Sequence, residues 1–134
     1  TDGHVDDVAR FVDPSTVVCA TEEDPSDENY RVLQENERIL RAARDRDGNP
    51  LTIIPLPMPR PIGGDARFPA SYLNFYIGNR AVLVPVFSDP ADARALGILG
   101  GLFPGRRVVG IDCRALVEGM GAIHCITQQQ PKLG

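Results

Sequence analysis

The chain has 134 residues, 43% of them hydrophobic and 24% charged, an ordinary balance for a soluble globular chain of one domain or a piece of one. Its net charge of −4 argues against nucleic acid, which needs a positive face, and no apolar run is long enough to cross a bilayer. The first turns of chain are acidic, with Asp2, Asp6, Asp7, Asp13, Glu22, Glu23, Asp24, Asp27 and Glu28 set against Arg10 alone, which suits either a solvated acidic surface or a small cationic ligand.

Residues 4–12 (HVDDVARFV) and 15–20 (STVVCA) read as two strands, the second β-branched and apolar. Asp24-Pro25-Ser26-Asp27 then predicts a capped helix to about Arg44, with Leu33, Asn36, Leu40 and Ala43 on one face. Asp47-Gly48-Asn49-Pro50 stops it, and residues 51–55 (LTIIP) form the next strand. The proline-rich run 55–61 (PLPMPRP) with Gly63-Gly64 is expected to be a surface connection within the repeat.

The same order then returns. Residues 71–79 (SYLNFYIGN) and 81–87 (AVLVPVF) predict two strands, and Asp89-Pro90-Ala91-Asp92 repeats the cap. Ala95, Leu96, Leu99 and Leu102 give the following helix an apolar face. Pro104-Gly105 ends it, and residues 107–111 (RVVGI) form a strand. A further segment, 123–127 (IHCIT), resembles the opening strand of each unit. The chain thus predicts an α/β repeat architecture of roughly two strand–strand–helix–strand modules plus the first strand of a third, too few to close a core by themselves.

Three cysteines, Cys19, Cys113 and Cys125, form no disulfide pattern and fit a reducing compartment. Two distant histidines and no CxxC leave no zinc pattern. Cys125 follows Gly119, Gly121 and His124. Taken alone it is either a buried small hydrophobe or a nucleophile. On a strand, His124 and Cys125 would point to opposite faces, so the partner expected for a reactive thiol is His4. In Gly3-His4-Val5-Asp6 an extended backbone would put His4 and Asp6 on one face. Cys19 and Cys113 read as buried, Asp7 as solvated or structural, Tyr72, Phe75 and Tyr76 as core, and Asn74 as a structural hydrogen-bonding residue within reach of a ligand.

Three ordered segments carry a resemblance that covers nearly the whole chain. Residues 1–11 (TDGHVDDVARF) resemble the G-H-x-D motif of the agmatine deiminases and related bacterial peptidylarginine deiminases. Residues 71–87 resemble the family's S-Y-x-N-F-Y region, and residues 121–131 (GAIHCITQQQP) its nucleophile motif. Ala122 departs from the pattern, which often has Asn there within a fuller glycine run.

The resemblance implies a pentein fold, a five-module αββαβ pseudo-propeller, of which residues 1–134 would be the C-terminal portion. It implies hydrolysis of a guanidinium to a ureido group and ammonia, most simply agmatine to N-carbamoylputrescine, with peptidyl-arginine as the alternative substrate. Cys125 would be the nucleophile, His4 the acid and base, and Asp6 the acceptor for guanidinium nitrogens. No metal or organic cofactor is implied. A cytoplasmic setting is expected, as is a complementing chain segment or second copy. A span lacking the upstream carboxylates is expected to be inactive by itself, and a catalytically incompetent module with the family fold is the remaining alternative.

Overall fold

The computed structural model describes residues 3–64 and 67–131, so Thr1 and Asp2 of the opening motif lie outside the described residues. A four-residue helical turn, α1 (Val5–Val8), leads into β1 (Ala9–Phe11), β2 (Thr16–Thr21), α2 (Tyr30–Ala42) and β3 (Thr52–Pro57). The second unit repeats the order with β4 (Tyr76–Ile77), β5 (Ala81–Val86), α3 (Asp92–Leu102) and β6 (Arg107–Asp112). In each unit the first strand pairs antiparallel with the second, and the second pairs parallel with the third across the helix. The two three-stranded sheets have the orders β1-β2-β3 and β4-β5-β6. Among the described residues no helix is long and apolar enough to cross a membrane.

The sheets meet through side chains. Val18 and Ala20 of β2, Leu33 of α2 and Leu56 of β3 share one cluster with Tyr72, Leu73, Phe75, Val82, Val84, Ala95 and Leu99. Val117, Ala122 and Ile123 close the same cluster from the end of the chain. The alternate residues of β2, Val17 and Cys19, pack with Ile53 and Leu40 on the other side. Both faces of β2 are therefore covered, which explains its unbroken apolar sequence.

The second strand, the helix and the third strand expected in each unit are present, the strands within a residue or two of their predicted bounds, but the helix starts are not. α2 begins at Tyr30, not at the Asp24-Pro25 pair. Asp24 instead accepts the N–H and hydroxyl of Ser26, at 2.9 and 2.7 Å, and Asp27 accepts the N–H of Asn29 at 2.8 Å. These carboxylates close turns before the helix, the competing use of short acidic side chains. In the second unit Asp92 binds the Phe87 and Asp89 amides, each at 3.1 Å, and the Tyr72 hydroxyl at 2.7 Å. It ties the helix start to the sheet and to the core.

The segments expected to open each unit as strands are mostly not extended. Residues 4–12 give a helical turn before three residues of strand, and 71–79 give only Tyr76–Ile77. Asn74 N–H donates to the Ser71 carbonyl at 3.2 Å, and the Ser71 hydroxyl donates to the Asp7 carbonyl at 2.9 Å. Turn and side-chain bonds thus satisfy backbone groups that a ladder would otherwise have used. Residues 123–127 form a 3-10 turn, His124–Ile126, and not a third opening strand. The proline-rich run also differs, because Pro55 and Pro57 belong to β3 and Leu56 is fully buried.

Asp92 is the clearest test of this packing. Asp92→Ala strands a buried tyrosine hydroxyl and two amides, so the complete protein should lose about 2–4 kcal/mol, while Tyr72→Phe should lose only about 1 kcal/mol. Urea unfolding measures both, and an unmoved Asp92→Ala midpoint would contradict the assignment.

Candidate active site

Three segments far apart in sequence converge on one side chain. Asn74, fully buried, sends its amide nitrogen to Asp7 Oδ1 at 2.9 Å, Asp6 Oδ2 at 3.1 Å and Cys125 Sγ at 3.2 Å. Its amide oxygen accepts the backbone N–H of His124 at 2.8 Å and of Cys125 at 3.3 Å. Asp6 and Asp7 come from α1, Asn74 from the turn before β4, and His124 and Cys125 from the terminal 3-10 turn.

The cysteine turn is built by its own sequence. Met120 takes a left-handed φ of 65° and reverses the chain after the turn Leu116–Gly119. Gly121 lies so close that a Cβ there would stand 2.9 Å from the Cβ of Cys125 and 3.2 Å from its Sγ. Here glycine makes room for the cysteine itself. Thr127 closes the turn, its hydroxyl donating to the His124 carbonyl at 3.0 Å.

Asp6 Oδ2 lies 2.7 Å from His124 Nδ1 and 3.6 Å from Cys125 Sγ. An Nδ1–H donating to the carboxylate is the tautomer that this distance requires. Burial pushes the Asp6 carboxyl up, but the hydrogen bond and charge of His124 outweigh it and hold Asp6 below its ordinary range. Asp7 goes the other way. Burial, reinforced by the neighbouring Asp6 charge, pushes its carboxyl up to about 6.

The site brings together two of the three residues expected from the sequence, Asp6 and Cys125. His4 precedes α1, and its carbonyl accepts the Asp7 N–H at 3.0 Å. It is exposed at the start of α1 in extended backbone (φ −68°, ψ 132°), and its ring has no hydrogen bond to Cys125 or Asp6 among the described residues. The extended backbone expected through His4-Val5-Asp6 ends at His4, because α1 begins at Val5. The opposite-face argument against His124 fails as well, because alternation does not hold in a 3-10 turn. His124 is the histidine on Asp6. Its signal in the sequence was the glycine-flanked Met120 upstream and the Thr-Gln-Gln-Gln-Pro run downstream, both of which favour turns over a strand.

Cys125 is also the exposed cysteine, whereas Cys19 and Cys113 are buried. Burial pushes the Cys19 thiol up to about 11 and raises Cys113 as well. One accessible thiol, two carboxylates and an imidazole therefore share a centre organised by a neutral amide. That set can attack an electrophilic carbon and hold a planar cation.

Residues 1–131 match the Porphyromonas-type peptidyl-arginine deiminase family. The chain belongs to that family. Among relatives of this peptidyl-arginine deiminase family chain, the agmatine deiminase of Ectopseudomonas mendocina is 41% identical over 98% of this chain and 41% of its own length. A crystal structure from Porphyromonas gingivalis superposes with a TM-score of 0.95 at 50% identity, covering 98% of this chain and 39% of that one. The agmatine deiminase of Enterococcus faecalis, whose structure was solved catalysing its reaction, gives a TM-score of 0.92 at 35% identity, over 98% of this chain and 41% of that one. The mixed α/β fold is thus that of solved deiminases, and the chain spans about two fifths of the length of these relatives.

Two outcomes follow for this family member. Iodoacetamide should label Cys125 of the complete protein, with Cys19 and Cys113 slow; peptide mapping that found Cys19 or Cys113 labelled and Cys125 untouched would refute the assignment. The folded state should also hold the Asp7 proton up to about pH 6, whereas an unfolded Asp releases it near 3.9. Stability should therefore fall as pH rises from about 4 to 6, by up to about 3 kcal/mol relative to Asp7→Asn. Denaturation of both proteins across that window tests the sign, and parallel profiles would refute it.

Proposed function

We propose that the complete protein hydrolyses a guanidinium group to a ureido group and ammonia, with agmatine as substrate and N-carbamoylputrescine as product. The observation that carries the reading is the placement of the Cys125 thiol 3.6 Å from the Asp6 carboxylate, both held by Asn74. Asp6 accepts guanidinium N–H groups and seats the planar cation beside the sulfur. The substrate charge in turn favours the thiolate.

The Cys125 thiolate attacks the guanidinium carbon and forms an S–C bond. The C–N bond breaks as His4 gives a proton to the departing ammonia. His4 then takes a proton from water, whose oxygen attacks the thiouronium carbon. The S–C bond breaks, and the thiolate and the ureido product are restored. His4 holds this role by resemblance to the family's G-H-x-D motif. No metal or organic cofactor is part of the scheme.

Peptidyl-arginine is the second reading, favoured by the description of the matched family and by the solvent-exposed Cys125. The ratio of kcat/KM for agmatine and for an arginine peptide separates the two. We also propose that the two repeats belong to the C-terminal part of a five-module ring in a cytoplasmic enzyme. The remaining carboxylates would come from further chain or a second copy, and residues 1–134 would not turn over alone. Two consecutive β-β-α-β units of one topology support that reading.

Ammonia release by the complete protein is the test. Cys125→Ala should abolish it. Asp6→Asn should chiefly raise KM, and His4→Ala should lower kcat by roughly 10²–10⁴-fold. Full activity in Cys125→Ala would overturn the reaction. Near-full activity in His4→Ala, with turnover lost in His124→Ala, would overturn the role of His4.

A further inference from the structure

We propose that Arg10 is a positioning residue of the reacting centre: its guanidinium clamps the backbone on both flanks of Asn74 and so holds the cysteine turn in register with Asp6. The proposal rests on the roles given above to Cys125 and Asp6, and adds a residue whose own hydrogen bonds go to neither.

Three consecutive carbonyls carry the geometry. Those of Leu73 and Phe75 accept N–H groups from one nitrogen, Arg10 Nη1, at 3.2 and 2.9 Å. The carbonyl between them, on Asn74, accepts the backbone N–H of His124 at 3.1 Å. The cysteine turn therefore hangs from the middle of a segment whose two flanks Arg10 holds. Arg10 stands in β1, which directly follows the helical turn that carries Asp6. One short segment thus bears both the carboxylate and the clamp, and a displacement of residues 73–75 would move Cys125 relative to Asp6.

The clamp calls for arginine. One nitrogen with two hydrogens meets two carbonyls, and the central carbon of the guanidinium lies 4.7 Å over the Phe75 ring. Leu73 and Phe75 are buried, so water competes little for these bonds. The charges of Asp6 and Asp7 reach the guanidinium, yet among the described residues no salt bridge joins it to either. A merely structural arginine beside two carboxylates would turn its donors to them. Turned to the carbonyls instead, Arg10 offsets part of the acid at the centre and leaves Asp6 free to accept a substrate guanidinium.

The experiment compares Arg10→Lys and Arg10→Met with the parent in the complete protein, by steady-state deimination and thermal melting. Lysine keeps the charge but ends one bond short of Nη1, so from the same stem it does not reach both carbonyls. Methionine keeps an apolar stem and loses both charge and donors. Each should lower kcat by about 10–100-fold, the size of effect that a displacement of about 1 Å has on a reacting pair. KM should rise by less than that, because Asp6 remains. A variant that melts like the parent and keeps its kcat would overturn the proposal. Loss of kcat in Arg10→Met alone, with Arg10→Lys at the parent's rate, would overturn it as well, because charge and not the clamp would then set the rate.

If neither variant folds, the unmodified protein decides. The Nη1 protons of a clamped guanidinium rotate and exchange slowly. They should give resolved ¹⁵N–¹H signals that shift when Cys125 is alkylated by iodoacetamide. Signals averaged with the rest of the guanidinium, or unmoved by alkylation, would overturn the proposal equally. Failure of the deimination reading would look different: Cys125→Ala would keep releasing ammonia, whatever the Arg10 signals do.

Discussion

A side-chain amide in a dry interior cannot leave its polar atoms unmatched, and Asn74 meets that demand by joining three segments that no backbone ladder connects. The helical turn α1, the turn before β4 and the cysteine turn all lie outside the two sheets. One backbone bond, from the His124 N–H to the Asn74 carbonyl at 3.1 Å, joins two of them, and side chains reaching across supply the rest. Arg10 supports the same junction from β1. Its guanidinium donates to the carbonyls of Leu73 and Phe75, at 3.2 and 2.9 Å, and lies 4.7 Å over the Phe75 ring. The sheets supply rigid ground, and a few polar side chains fasten these turns to it.

The concentration of acid at this junction works against folding. Asp7 is almost completely buried, next to Asp6, with its charge disfavoured by both burial and the neighbour. Such an arrangement makes physical sense where a cation is to be received, since unfilled acceptors give it a place that water does not stabilise as well. His124 compensates part of this charge through Asp6, and Arg10 part of it from the other side. The balance left over is what a guanidinium would meet in the proposed reaction.

The repeat was legible because it is written in properties that sequence displays directly. β-Branched runs gave β2, β3, β5 and β6, and helical periodicity placed Leu33, Ala95 and Leu99 in the core. The identity of the exposed cysteine was legible by resemblance. The local geometry of the segments that carry Asp6 and Cys125 was not legible. Residues 4–8 of HVDDVARFV and all of IHCIT look extended by composition, yet they turn, and bonds within the turns and to Asn74, a partner dozens of residues away, satisfy backbone groups there. Strand alternation does not hold in α1 or in the 3-10 turn His124–Ile126, which is why His124 meets Asp6. Asn74 stands in the S-Y-x-N-F-Y segment, but its contacts with Asp6, Asp7 and the cysteine turn come from residues dozens of positions away and are not written in its neighbours.

β3 ends its sheet, and the pairing of β2 with Pro55 and Pro57 leaves its outer side with two positions that have no N–H to offer. An apolar edge strand such as TIIPLP is otherwise the kind of segment through which partly assembled chains stick to one another. Prolines at alternate places interrupt the row of donors that another strand would need. The composition that made this stretch look like a connecting loop thus leaves the outer border of β3 a poor template for another strand.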